Sequence, residues 1–224
     1  MLKLSGHFLV LFTLLFAACG NNNENKTENT GKAAAGDSAT VQAKTILFFG
    51  NSLTAGYGLD VSEAFPALIQ AKIDSMKLPY KVINAGLSGE TSAGGKNRIG
   101  WLLRQPVDIF ILELGANDGL RGIAVKETVK NLQDIIDSVK TKNPATKMIM
   151  TGMQVPPNMG STYANEFRSI FAGLATKNKM ELVPFILEGV GGVPDLNQGD
   201  GIHPTAVGHR IVAENVWAVL KGML

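Results

Sequence analysis

Ser52, Asp200 and His203 are side-chain types that together carry out nucleophilic acyl chemistry, provided the fold brings them into contact. Ser52 follows the apolar run Ile46-Leu47-Phe48-Phe49 in the segment GNSLTAGYG. Asp200 and His203 lie in GDGIHPTAVGH, near the other end of the chain. A hydroxyl is a weak nucleophile until a base takes its proton, and an imidazole held at one ring nitrogen by a carboxylate has the other free for that task. An aspartate three residues before a histidine has a spacing that permits this hydrogen bond. Read alone, Gly-Asn-Ser is an ordinary turn and Asp-x-x-His an ordinary surface pair, so the chemistry depends on further groups.

Attack on a carbonyl also requires donors for the oxyanion that forms. Two segments offer them. Asn84-Ala85-Gly86-Leu87-Ser88-Gly89 places glycine, here assigned as Gly86, where a backbone N–H can approach a substrate closely. Gly115-Ala116-Asn117-Asp118-Gly119 presents the amide side chain of Asn117. Asp118 is read as structural support rather than a second base, and His209 as a group that packs on or caps the final helix.

These positions must be held by a regular frame, and the hydrophobic pattern supplies one. Strand-like apolar runs lie near 45–50, 80–84, 107–113, 147–152 and 180–185. Between them, Phe65, Leu68, Ile69, Ile73 and Met76 recur on one helical face, as do Val129, Leu132, Ile135, Ile136 and Val139. A last helix is expected over about 205–222, and Trp101 and Trp217 fall in helices. Strands alternating with helices imply parallel pairing through right-handed crossovers, hence a single three-layer α/β/α domain. Ligands bind such sheets beyond the carboxyl ends of the strands, which is where Ser52, Gly86 and Asn117 would stand.

The N-terminal region has a different character. Lys3 precedes an apolar stretch from Phe8 to Phe16 that closes on Ala17-Ala18-Cys19. This reads as a secretory signal over 1–18, too short to serve as a membrane anchor. The end of the stretch resembles the bacterial lipoprotein cleavage box, with Phe16 where that box most often has leucine, and implies lipidation of Cys19. The alternative is an ordinary signal peptide cut near Ala18. Residues 20–44 hold one large aliphatic side chain, Val41, and no aromatic. They cannot bury enough apolar surface to offset ordering, so 19–44 is expected to be a tether and 45–224 the domain. The expected location is outside the cytoplasm, on a membrane by the lipid, facing the periplasm or the cell surface.

Composition narrows the function classes. After removal of 1–18 the chain carries 20 basic and 19 acidic side chains, a balance that gives no reason to expect nucleic acid. Cys19 is the sole cysteine, which excludes an internal disulfide and a cysteine-type structural zinc site. A phosphate-binding loop fails at Gly95-Lys96, because Glu90 stands where its first glycine belongs and Asn97 where serine or threonine is required.

Four segments taken together, GNSL with Ser52, NAGLSGETS with Gly86, LELGANDGLRG with Asn117, and DGIHP with Asp200 and His203, resemble the conserved blocks of the SGNH (GDSL-type) hydrolases. The match runs over residues 45–222 and is most similar to the bacterial secreted arylesterase, thioesterase and lysophospholipase group. It implies a five-stranded parallel sheet of flavodoxin-like order and a serine acyl hydrolase with Ser52 as nucleophile, His203 as base and Asp200 orienting His203. It further implies an oxyanion hole of the Ser52 and Gly86 N–H groups and the Asn117 amide, with Val155 and Pro156 lining the acyl site. No cofactor or metal is implied. The expected partner is a small acyl ester, thioester or lysophospholipid, and the expected state a monomer. Asn51 departs from the pattern, which has aspartate there. A carbohydrate deacetylase of the same fold and a non-catalytic lipoprotein binding module remain as alternatives.

Overall fold

The computed structural model describes residues 43–224. The expected signal sequence, Cys19 and nearly all of the tether lie outside the described residues. The domain begins slightly earlier than expected, since Lys44 is already paired and its N–H donates to the Pro79 carbonyl at 2.8 Å.

Five strands form one sheet: β1 (Lys44–Gly50), β2 (Tyr80–Gly86), β3 (Ile109–Glu113), β4 (Lys147–Thr151) and β5 (Glu181–Val183). Their order is β2-β1-β3-β4-β5, and every neighbouring pair is parallel. This is the flavodoxin-like order. The central strands β1 and β3 are apolar because both of their faces are covered by helices.

The helices are α1 (Ser52–Ala55), α2 (Phe65–Ser75), α3 (Ser92–Leu102), α4 (Ala116–Leu120), α5 (Val125–Lys142), α6 (Ser161–Asn178) and α7 (Ala206–Leu220). α2 packs against α7, and α3, α5 and α6 form the other layer, giving three layers with two cores. On one side Phe48 meets Phe65 edge-on at 5.5 Å; on the other Phe49 meets Phe110 at 5.8 Å. Successive residues of β1 thus serve opposite cores, as a period of two requires.

β3, β4 and β5 are each shorter than the expected runs, and the short α4 was not expected; three further differences bear on this frame. Met76 does not share the buried face of α2: the helix ends at Ser75, and Met76 caps it in an exposed position. β2 runs to Gly86, two residues past its expected end, because Asn84, Ala85 and Gly86 remain in register with Phe48, Phe49 and Gly50. α6 was not among the expected helices. Its buried Phe167, Ile170, Phe171 and Leu174 have the spacing that marks one helical face.

Candidate active site

All the groups singled out for chemistry stand at or just beyond the carboxyl ends of the strands. β1 ends at Gly50, and the chain enters α1 with Asn51 as its N-cap: the Asn51 Oδ1 accepts from the Leu53 N–H at 2.9 Å. Ser52 is therefore the first residue of a helix, where its own N–H has no helical partner. Gly50 is required by close approach. A side chain there would collide with Thr54 Oγ1 and with the carboxyl group of Glu113.

His203 Nε2 lies 2.9 Å from Ser52 Oγ, and His203 Nδ1 lies 2.6 Å from Asp200 Oδ2. The network assigns the proton of the neutral imidazole to Nδ1, since Asp200 is an acceptor there, and leaves Nε2 to receive from Ser52. Asp200 Oδ1 accepts from the N–H groups of Ile202 and His203, each at 3.0 Å. The hydrogen bond from His203, then that from the Ile202 N–H, hold the Asp200 carboxyl down to about 2. The loop itself is stapled: Gln198 N–H donates to the His203 carbonyl at 2.7 Å, and Gln198 Nε2 donates to the carbonyls of Tyr57 and Pro204. The Tyr57 ring stands 4.6 Å from the imidazole and shields one face of it.

The oxyanion donors need one correction. Gly86 does not line the cavity beside Ser52: its N–H is engaged by Asn84 Oδ1 at 2.9 Å, and its Cα packs against the backbone of α1. The glycine that does line it is Gly89, three residues on, whose φ of +79° favours glycine. Its N–H has no acceptor among the described residues. The extension of β2 is the cause, because it carries Gly86 into the ladder and leaves the turn to Leu87-Ser88-Gly89. Asn117, on the first turn of α4, donates one Nδ2 hydrogen to the Glu90 carbonyl at 3.0 Å. That bond orients the amide and leaves its second hydrogen available. Glu90 is in turn held by Arg98 of α3, whose Nε donates to Oε1 at 2.6 Å and whose Nη2 reaches the Ala85 carbonyl at 2.7 Å. Arg98 and Glu90 were not singled out in the sequence.

The remaining assignments separate clearly. Asp118 is fully buried and accepts from the N–H and hydroxyl of Ser92, which ties α4 to α3; it faces no base. His209 is buried on α7, accepts from the Phe65 N–H through Nδ1 at 3.1 Å and stacks on the Phe65 ring. Burial pushes its imidazole down to about 4, with a smaller contribution from His203. Val155 and Pro156 both line the cavity, together with Leu120, Met153, Phe185 and Ile202. The cavity holds about 560 Å³ and opens beside Ser52 and His203. Among the described residues no cluster of histidine and carboxylate side chains could hold a metal ion, and no helix is long and apolar enough to cross a membrane.

A parallel sheet with this strand order, a serine at a helix start and a histidine-carboxylate pair against it define an α/β enzyme of the serine hydrolase class. The GDSL-like lipase/acylhydrolase family model matches residues 48–211, and the chain belongs to that family. It is 41% identical over 183 residues to esterase TesA of Pseudomonas aeruginosa, an alignment covering 81% of this chain and 90% of the relative. It is 38% identical over 173 residues to thioesterase 1/protease 1/lysophospholipase L1 of Escherichia coli, covering 77% and 81% respectively. Among solved structures, the esterase EstA from Pseudoalteromonas sp. inhibited by monoethylphosphonate superposes with a TM-score of 0.75 at 33% identity, covering 80% of this chain and 97% of that one.

Proposed function

We propose that this chain is a serine esterase that hydrolyses small acyl esters and thioesters, lysophospholipids included, through an acyl-enzyme intermediate. The observation that carries the reading is the continuous chain of contacts from Ser52 Oγ through His203 to Asp200 at the mouth of an apolar cavity. Ser52 Oγ attacks the acyl carbon while its proton passes to His203 Nε2. Asp200, ionised throughout the neutral range, holds the imidazole in place and stabilises its charged form. The oxyanion is held by the N–H groups of Ser52 and Gly89 and the free hydrogen of Asn117 Nδ2. His203 then returns the proton to the leaving alcohol or thiol. Water enters by the same base and releases the acid. The acyl chain lies along the wall formed by Val155 and Pro156.

Export and lipidation at Cys19 would keep this active site near a membrane surface, where lysophospholipids are presented. The test is a rate panel of p-nitrophenyl esters from acetyl to palmitoyl, palmitoyl-CoA, lysophosphatidylcholine and acetylated xylan, with Ser52→Ala as control. Acyl esters or thioesters turning over fastest, with activity lost in S52A, support the reading. Preference for xylan replaces it with a carbohydrate deacetylase, and full activity in S52A refutes it.

A further inference from the structure

The family pattern G-D-S-L has aspartate where this chain has Asn51. Asn51 is buried, and so is the group it touches, Glu113 at the end of β3. Glu113 Oε1 accepts from Asn51 Nδ2 at 2.8 Å. Its Oε2 accepts from the Asn51 N–H at 3.1 Å, the Thr54 N–H at 3.3 Å and the Thr54 hydroxyl at 2.8 Å. These contacts tie down the residue before Ser52 and the residue two after it, so one carboxyl group clamps both sides of the nucleophile.

The clamp has a definite sense. Asn51 Oδ1 is committed to the Leu53 N–H and stands 3.4 Å from Ser52 Oγ, so the amide nitrogen must face Glu113. Glu113 is thus met by four donors, and the form that only accepts is the carboxylate. A proton on Oε1 would point at the Asn51 amide hydrogens. Among the described residues no cation pairs with Glu113. The ionisable groups on the surrounding elements serve other partners: Arg98 of α3 serves Glu90, Asp118 of α4 serves Ser92, His203 serves Asp200 and Ser52, and His209 of α7 serves the Phe65 N–H. Neither α1 nor the neighbouring end of β1 carries an ionisable side chain. Burial therefore pushes the Glu113 carboxyl up to about 7, against the pull of the hydrogen bonds from Thr54 and Asn51.

We propose that Glu113 is a positioning residue for Ser52 that acts as the carboxylate, and that Asn51 in place of the family aspartate supplies the hydrogen that lets it do so without a proton held between them. This rests on the reading of Ser52 as nucleophile. An aspartate at 51 would set two carboxyl oxygens in the same 2.8 Å contact. They cannot both be ionised at low cost, so such a pair retains one proton and titrates in two separated steps.

The experiment follows the rate of phosphonylation of Ser52 by a fluorophosphonate from pH 4 to 10 in the full chain, Asn51→Asp and Glu113→Gln, beside ¹³C NMR titration of labelled carboxyl groups. In the wild type both His203 and Glu113 must lose a proton, so the logarithm of the rate falls toward acid with a slope approaching 2 and stays level toward alkali. E113Q lowers the rate at pH 8 by about 10–100-fold through misplacement of the serine, and its acid slope drops to 1. N51D gains an alkaline fall as the last shared proton leaves, and its carboxyl resonances move in two steps where the wild type shows one for Glu113. A wild-type acid slope of 1 with E113Q unchanged overturns the proposal, as does an N51D profile identical to wild type. If E113Q fails to fold, the N51D profile and the Glu113 titration decide. Absence of phosphonylation at every pH overturns the serine esterase reading instead, and the NMR steps still test the couple.

Discussion

Replacing His209 by asparagine should remove the stability loss that this one buried imidazole contributes on mild acidification. His209 is buried as the neutral imidazole, accepting from the Phe65 N–H, and burial brings it from an ordinary 6.5 down to about 4. The unfolded chain therefore binds a proton between these values that the folded chain refuses. Stability contributed by neutral His209 is complete above about 6.5 and is lost as pH falls toward 4. A difference of about 2.5 pH units corresponds to about 3 kcal/mol, which for a domain of this size is roughly 7–14 °C in Tm. Asparagine offers an oxygen near the position of Nδ1, keeps an acceptor for the Phe65 N–H, and does not titrate. Glu113 acts with the opposite sign, since its raised value lets the folded state bind a proton more tightly as pH falls from about 7. That contribution is common to both proteins and cancels in the comparison. The assay is calorimetry at half-unit intervals from pH 7.5 to 4, read as the wild-type Tm minus the variant Tm. The difference should shrink or change sign by several degrees on going to pH 4. A difference constant across the range refutes the reasoning.

Three further outcomes follow from the site. Asn117→Ala removes one oxyanion donor and should lower kcat on the order of 10²–10³-fold with little change in KM, measured on a p-nitrophenyl ester. Gly89→Ala, at φ +79°, should lower kcat by tilting a donor, whereas Gly86→Ala, whose new methyl would strike the backbone of α1, should appear mainly as a lower Tm; the reverse pattern would restore Gly86 as the donor. Asp200→Asn keeps the shape but removes the charge that holds the imidazole, and should cost on the order of 10³–10⁴ in kcat near neutral pH, measured on the same ester.

The sheet and most helices are legible in the sequence because their signals are local. A run such as Ile109-Phe110-Ile111-Leu112 can be buried on both faces only in a central strand, and Leu132, Ile135, Ile136 and Val139 share a face only in a helix. Ser52, Asn117, Asp200 and His203 are legible only jointly: each segment alone reads as an ordinary turn or surface pair, and the four together resemble the conserved blocks of one family. α6 carried the same kind of signal in Phe167, Ile170, Phe171 and Leu174, and stood outside the expected set of helices.

Other features depend on separations that a linear pattern does not encode. Gly86 and Gly89 are both glycines in one turn-like segment. The register of β2 against β1, which pairs Gly86 with Gly50, decides which of them lines the cavity. Glu113 reads in sequence as the polar end of an apolar strand, and its hold on Asn51 and Thr54 joins residues about sixty positions apart. The sequence by itself determined the kinds of groups available, the order of strands and helices, and the departure at Asn51. Tertiary structure alone decided which donors face the cavity, that His209 is buried and uncharged, and that Asn51 turns its amide toward a carboxylate. The physical reason is that hydrogen bonding and burial act between neighbours in space, and in a parallel sheet those neighbours come from different strands.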